Sequence, residues 1–477
     1  MVFSRNMKFR ISGLKVARKF NAILCACAVI ASAEGARAST YEVGPNSALK
    51  TPNDVPWESL KAGDTVLIHW RPEAYKSKWV ICAEGTEQSP ITIRGVAGPN
   101  GQLPVIDGEE ATTRKKLNYW GENRSVVKIG GATVPNGLGS KWIVIENLDI
   151  ANGRPPMGYT SCKGEAKKYV RNAAAIWVEH AEHLVVRNCN LHGCGNGFVV
   201  SSNDKLAAED VLVENCHIYE NGNVNSGYEH NIYSECKGIT FQYNWLGPLR
   251  KGCPGNNLKD RSSGCVIRYN WIEGGDKLLD LVDAEDSKII REDPRYRQTF
   301  VYGNVMIKRG GGHTQVVHYG GDGQKASMYR KGTLYFYNNT VVSKRPDGTQ
   351  LFWIATNDEI VDARNNIFFT EGNGKSLALM RNGKGILELS HNYFKSGFHK
   401  VAEAKDAIVR DDATSVLSSS PEFVDEKGED FHLAPNSRCR GAAAKLAPAA
   451  LPLEREYKKH QSSVAKPSDA KSNVGAY

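Results

Sequence analysis

The 477-residue chain is 41% hydrophobic and 24% charged, long enough to bury a large core, and it carries a formal net charge of +9. Most of that charge is local: residues 1–38 hold seven Lys/Arg against one acid, Glu34, a net of +6 that leaves +3 on the remainder. Such a remainder lacks the dense basic footprint of a nucleic-acid binder, and no second apolar stretch is long enough to cross a membrane.

The N-terminus reads as an export signal. Arg5, Lys8, Arg10, Lys15, Arg18 and Lys19 precede the apolar run "AILCACAVIASA", and the small-residue site "ARA" ends at Ala38. The run falls short of the roughly 20 residues that a bilayer span needs. A lipoprotein signal at Cys27 is poorly placed, because much of the apolar run follows it. Cleavage after residue 38 and a periplasmic or secreted location are therefore expected.

Residues 41–107 contain "LKAGDTVLIHW", "ITIRG" and "VIDG", short β-rich phrases that begin a coil as its N-terminal cap. From there similar phrases recur, each with a central asparagine: "LVVRNCNL", "VLVENCHI", "FQYNWL", "VIRYNWI", "FVYGNVMI", "YFYNNTVV", "VDARNNIFF" and "LELSHNYF". The asparagines are Asn188, Asn215, Asn244, Asn270, Asn304, Asn339, Asn366 and Asn392, spaced by 27, 29, 26, 34, 35, 27 and 26 residues. No helical periodicity separates the phrases, so leucine-rich and α/β repeats are disfavoured. One turn of coil per unit, each pairing in parallel with the next, gives an all-β, single-stranded right-handed parallel β-helix, a solenoid. The recurring asparagines are expected to stack as an internal ladder, each amide satisfied one rung away. Near the end, "PEFVDEKGEDFHLAPNSRCRGAA" and "VGAY" read as closing strands over about 420–477, within one domain of residues 39–477.

Nine of the eleven cysteines follow the leader. In an exported chain Cys253/Cys265 and Cys162/Cys194 are candidate disulfides, while Cys189 and Cys216, each in an "NC" context, read as small buried hydrophobes. No cysteine pair has zinc-ligand spacing.

The phrases "AGDTV", "EGTEQSPITIRG" and "PVIDG", followed by "NCNLHGCGNGFVV", "EHNIY" and "NNLKDRS", resemble exported bacterial right-handed parallel β-helix proteins of the polysaccharide lyase type. The resemblance runs over nearly all of residues 41–477. It implies the fold more specifically than the activity, because β-helices also host hydrolases, epimerases and phage-tail adhesins.

The repeat also locates a candidate site, since equivalent positions in successive turns stack about 4.8 Å apart. Fifteen residues beyond Asn215, Asn244 and Asn270 lie His230, Lys259 and Glu285, and fourteen beyond Asn304 lies His318. The column thus collects His230, Lys259 with Arg261, an acidic group (Asp280, Asp283, Glu285, Asp286) and His318. Cleavage of a uronic-acid polymer by β-elimination needs neutralisation of the sugar carboxylate, a base for the C5 proton and an acid for the C4 oxygen. Lys259 suits the base and Arg261 the carboxylate clamp, an arrangement similar to the Lys/Arg pair of chondroitinase-B-like and alginate-lyase-like β-helix enzymes. The arginine signatures of the main pectate lyase family are absent.

His230 or Tyr233 is the expected proton donor, Tyr233, His318 and Asn257 are expected to contact the sugar, and Trp353 to stack on it. Asp280, Asp283 and Glu285 are the candidate ligands for Ca²⁺, a hard cation that prefers oxygen donors. The expected partner is an acidic polysaccharide, and nothing in a capped solenoid calls for more than a monomer. Two other readings stay open on the same scaffold. A hydrolase would use Asp280 with Asp283 or Asp260 and release a hydrated product, while an epimerase would share the lyase's proton abstraction without shortening the chain. A non-catalytic carbohydrate-binding β-helix would tolerate loss of Lys259 and His230.

Overall fold

The computed structural model describes residues 38–401, 403, 405–466 and 472–477. The expected leader, Ala38 excepted, lies outside the described residues. Within them, no helix is long and apolar enough to cross a membrane.

Each turn of the chain places one short strand in each of three long sheets of 13, 11 and 14 strands. Lys237–Gln242 lies in the first, Trp245–Leu246 in the second and Leu258–Asp260 in the third; Ser263–Arg268 then returns to the first, with Cys265 opposite Ile239. Within these sheets the pairing is parallel apart from Gly158–Thr160 with Ala166–Lys168, an antiparallel pair at the edge of the third. Alternation drives the closure: in Ser263–Arg268 every second residue is buried, and Cys265 and Ile267 face inward. The inward residues of all turns form one continuous core from Val43 to Phe394. Phe336, Phe368 and Phe394 stack along its axis at centroid distances of 6.1 and 5.4 Å.

The asparagine ladder exists, with a correction at its start. Asn244, Asn270, Asn304, Asn339, Asn366 and Asn392 are fully buried, and each Nδ2 donates to the next Oδ1 at 2.9–3.1 Å. The same Oδ1 accepts the preceding rung's backbone N–H. Asn188 and Asn215 do not belong to it. They hold left-handed backbone (φ 51° and 53°), and it is the following residues, Cys189 and Cys216, that continue the column inward. Two needs meet in adjacent positions here: a residue tolerant of positive φ, then an amide that bonds to its own kind. "NN" at 338–339 and 365–366 satisfies both, and "NC" satisfies only the first.

Asn304→Ala is expected to cost at least about 1–3 kcal/mol, because it strips the acceptor from the backbone N–H of Asn270 and breaks the amide-to-amide bond in the dry core. A lowered urea midpoint would register it.

The C-terminal segment differs from the expected closing strands. Its strands form two separate antiparallel pairs, Phe423–Asp425 with Asp430–Leu433 and Arg455–Lys458 with Ser462–Ala465. The segment runs back along the outside of the coil: Asn365 bonds Ala444, the Tyr337 hydroxyl bonds the Leu451 carbonyl, and Asn215 exchanges bonds with Gln461. Phe431 and Tyr457 pack on outward-facing Trp271 in a second apolar cluster that also holds Tyr302 and Tyr393.

Neither expected disulfide forms. All nine described cysteines are free. Cys265 points into the core and Cys253 sits in a loop, while Cys194 Sγ accepts the Gly153 N–H and Cys162 lies half-buried near Glu122.

Candidate active site

On the outer face of the third sheet, strand pairing aligns Trp177, Val199, Tyr233, Lys259, Asp280, His318 and Trp353, one per turn. The expected column is therefore real, but two of its members change. Tyr233, not His230, is level with Lys259, and Asp280, not Glu285, follows it. The sequence count slipped because turns differ in length between the ladder corner and this sheet. A cavity of about 860 Å³ opens over the column.

Lys259 lies in Leu258–Asp260, and its Nζ is 3.0 Å from Asp280 Oδ2. It also pairs with Asp322. Arg261 follows the strand end, 5% exposed, with Nη2 3.1 Å from Asp322 Oδ1 and 3.3 Å from Glu285 Oε2. Its guanidinium carbon lies 5.9 Å from the Tyr233 ring centre. Burial opposes its charge, yet Tyr233, Asp322, Asp283 and Glu285 together raise its pKa above the ordinary arginine value. The two cations thus meet as expected, and what stands in front of them is a carboxylate of the protein itself, Asp322.

Asp280 is 2% exposed and fully engaged: Oδ1 accepts His318 Nδ1–H at 2.7 Å, and Oδ2 accepts Asn256 Nδ2–H at 2.8 Å. Burial would raise its pKa, but the His318 bond and the Lys259 charge hold it well below the carboxylate range. His318 is 1% exposed, tilts against Trp353 at 4.0 Å, and keeps Nε2 without a partner.

His230 lies before its strand. Its Nδ1 accepts the Asn256 N–H at 3.0 Å, so the ring proton resides on Nε2. Burial first, then the Lys259 charge, pulls its pKa down to about 3. The imidazole is neutral across the physiological range and offers an N–H, not an imidazolium proton. Because the unfolded histidine takes its proton near its model value of 6.5, the unfolded chain binds more protons than the folded one between about 3 and 6.5. Stability is therefore expected to fall as pH drops through that window, reinforced by His217 and His460, each lowered to about 4 by burial first. The acid limb of a Tm–pH curve should be flatter in His230→Gln.

Burial raises the Tyr233 pKa, keeping the phenol protonated. Asn257 departs from expectation: fully buried, it donates to the carbonyls of Gly247 and Glu273 and accepts from Asn231, in an inner amide stack at the corner before the strand. Its neighbour Asn256 takes the expected place in the cavity.

The candidate calcium ligands do not converge. Asp283, 1% exposed, accepts the backbone N–H groups of Asp322 and Gly323 at 2.8 and 3.3 Å, and Glu285 faces Arg261. With Lys259 and Arg261 lodged among these carboxylates, no group of three His, Cys, Asp or Glu among the described residues is disposed to hold a metal ion. The donor set does not fit Ca²⁺. Asp260 is equally committed: fully buried, it pairs with Arg330 at 2.7 Å.

Sequence reasoning missed three residues. Asp322 lies on the Gly320–Arg330 loop, 61 residues from Arg261, and no repeat phrase marks it. Asn256 is one residue from a chosen position. Arg330, 0% exposed, spends all five N–H groups on Asp260, Ser262, Val282 and Thr299, fastening three turns beneath the site.

No family model and no curated protein sequence matches the chain. Among solved structures, the pectate lyase Pel9A superposes with a TM-score of 0.51 at 12% identity, over 93% of this chain and 97% of its own. The chain has the parallel β-helix fold. An alginate lyase from Paenibacillus sp. str. FPU-7 matches this β-helix with a TM-score of 0.45 at 12% identity, over 78% of the chain and 99% of its own. At 12% identity the likeness to Pel9A establishes the fold alone, because one fold hosts many chemistries.

Proposed function

We propose that the protein is an exported polysaccharide lyase that cleaves a uronic-acid polymer by β-elimination. The observation that carries this reading is the carboxylate held between Lys259 and Arg261 on an open groove face. Once Lys259 has released its own proton to solvent, a uronate carboxylate meeting the Arg261 guanidinium would have its charge neutralised, which acidifies C5–H. Lys259, as the amine, takes that proton, and Arg261 holds the enolate-like charge that develops on the carboxylate. The C4–O bond breaks as the C4=C5 double bond forms. The leaving oxygen takes a proton from the Tyr233 hydroxyl or the His230 Nε2–H.

In this reading His318 and Trp353 line the path of the chain beyond the cleaved bond, and no step runs through calcium. The partner is an acidic polysaccharide rather than nucleic acid or membrane, the protein works as a monomer, and the leader sends it to the periplasm or the medium. Hydrolysis is less well supported, because Asp260, Asp280 and Asp283 are buried and paired.

The test is ultraviolet absorbance of the unsaturated product on a panel of uronic-acid polysaccharides, with reducing ends measured in parallel. Absorbance rising with reducing ends supports elimination. Reducing ends alone would assign a hydrolase, C5 inversion without chain shortening an epimerase, and no turnover a binding module.

A further inference from the structure

Asp322 contributes nothing to the elimination just described, yet it occupies the most valuable position in the site. Its side-chain oxygens contact only Lys259 and Arg261. Its main chain is tethered elsewhere: its own N–H and that of Gly323 bond Asp283 Oδ1, the Tyr329 hydroxyl bonds the Gly323 carbonyl, and Arg330 N–H bonds the Gly320 carbonyl at the loop base. The side chain is 29% exposed and flanked by Gly321 and Gly323, so it can rotate outward while the loop stays in place.

We infer that Asp322 is an internal stand-in for the substrate's carboxylate, which it yields by exchange, making it the residue that selects a free uronate over a neutral or esterified sugar. This rests on the lyase reading for the identity of the ligand. The charge balance motivates it. Lys259 and Arg261 already face Asp280, Asp283, Glu285 and Asp322, so one more carboxylate enters favourably only as another leaves. An uncharged ester lacks the charge-assisted bonds with which to displace Asp322. Exchange of carboxylate for carboxylate costs little, and exchange of ester for carboxylate costs much.

The experiment compares wild type with Asp322→Ala and Asp322→Asn, probing first with sodium acetate against sodium chloride at equal ionic strength. Acetate should raise the Tm of Asp322→Ala by several degrees beyond the chloride control and leave wild type unmoved, since the ion fills a subsite that only the variant leaves vacant. On the polymer that wild type cleaves, Asp322→Asn should show KM lowered about 10-fold with kcat retained, and a smaller preference for the free acid over its methyl ester. Loss of kcat at unchanged KM, restored by acetate, would overturn the inference, because Asp322 would then be needed as a working carboxylate. Equal acetate response in all three proteins would overturn it too. The acetate arm reads the subsite even where no polymer is cleaved, so failure of the lyase reading and failure of this one are told apart.

Discussion

Lys259→Arg is expected to abolish most eliminative turnover, lowering kcat by about 10²–10⁴-fold, the span attributed to a positioned general base. Arginine preserves the positive charge between Asp280 and Asp322, so the fold and the pairing of both carboxylates survive. What it cannot do is accept a proton at working pH. Lys259→Ala should lose as much activity, but it also leaves two carboxylates facing one another across the vacated space, which makes it the poorer test. Rates from the unsaturated product, beside Tm values from circular dichroism, check both. An arginine variant with near wild-type kcat would remove the lysine from the chemistry and leave it a binding role.

The largest effect on stability is expected at Arg330. Arg330→Met leaves Asp260 charged in a fully buried position, and breaking such a pair from one side costs about 3–5 kcal/mol. Ser262 and Val282 lose the donors to their carbonyls as well. The guanidinium midpoint should drop accordingly. Removing both charges, as Arg330→Met with Asp260→Leu, should recover part of the loss, because the stranded carboxylate is gone. Activity should suffer in the single variant, since the Arg330 side chain fastens the strand end between Lys259 and Arg261.

Much of this fold is legible in the sequence because a solenoid repeats its instructions. "FQYNWL" and "VIRYNWI" each specify a strand, a left-handed corner and an inward amide, and six such phrases reinforce one reading. The ambiguity at Asn188 and Asn215 arises because asparagine serves both corner and ladder, so the residue type alone does not fix the register. In the site, Lys259 and His318 are legible because strand pairing carries register from turn to turn, whereas the count sets His230 where Tyr233 stands. His230, Asn257 and Glu285 were misplaced because they lie at corners and loops, where insertions break the count. Asp322 and Arg330 were invisible for a deeper reason. Their ion-pair partners lie 61 to 70 residues away, across a loop whose path is set by packing and carries no periodic signal.

The ladder from Asn244 to Asn392 is built of one bond repeated in one direction, each amide handing its N–H to the next carbonyl. Such a column has no preferred length. Any rung presents the same socket to whatever sits above it, so a whole turn can be duplicated or excised and the two cut faces will still mate. Size in this architecture is a quantity that gene duplication can change in steps of about one rung at little cost. The turns that share Arg330 are exempt, because there the vertical spacing is written into a single side chain, as are those spanned by the C-terminal segment between Asn215 and Asn365.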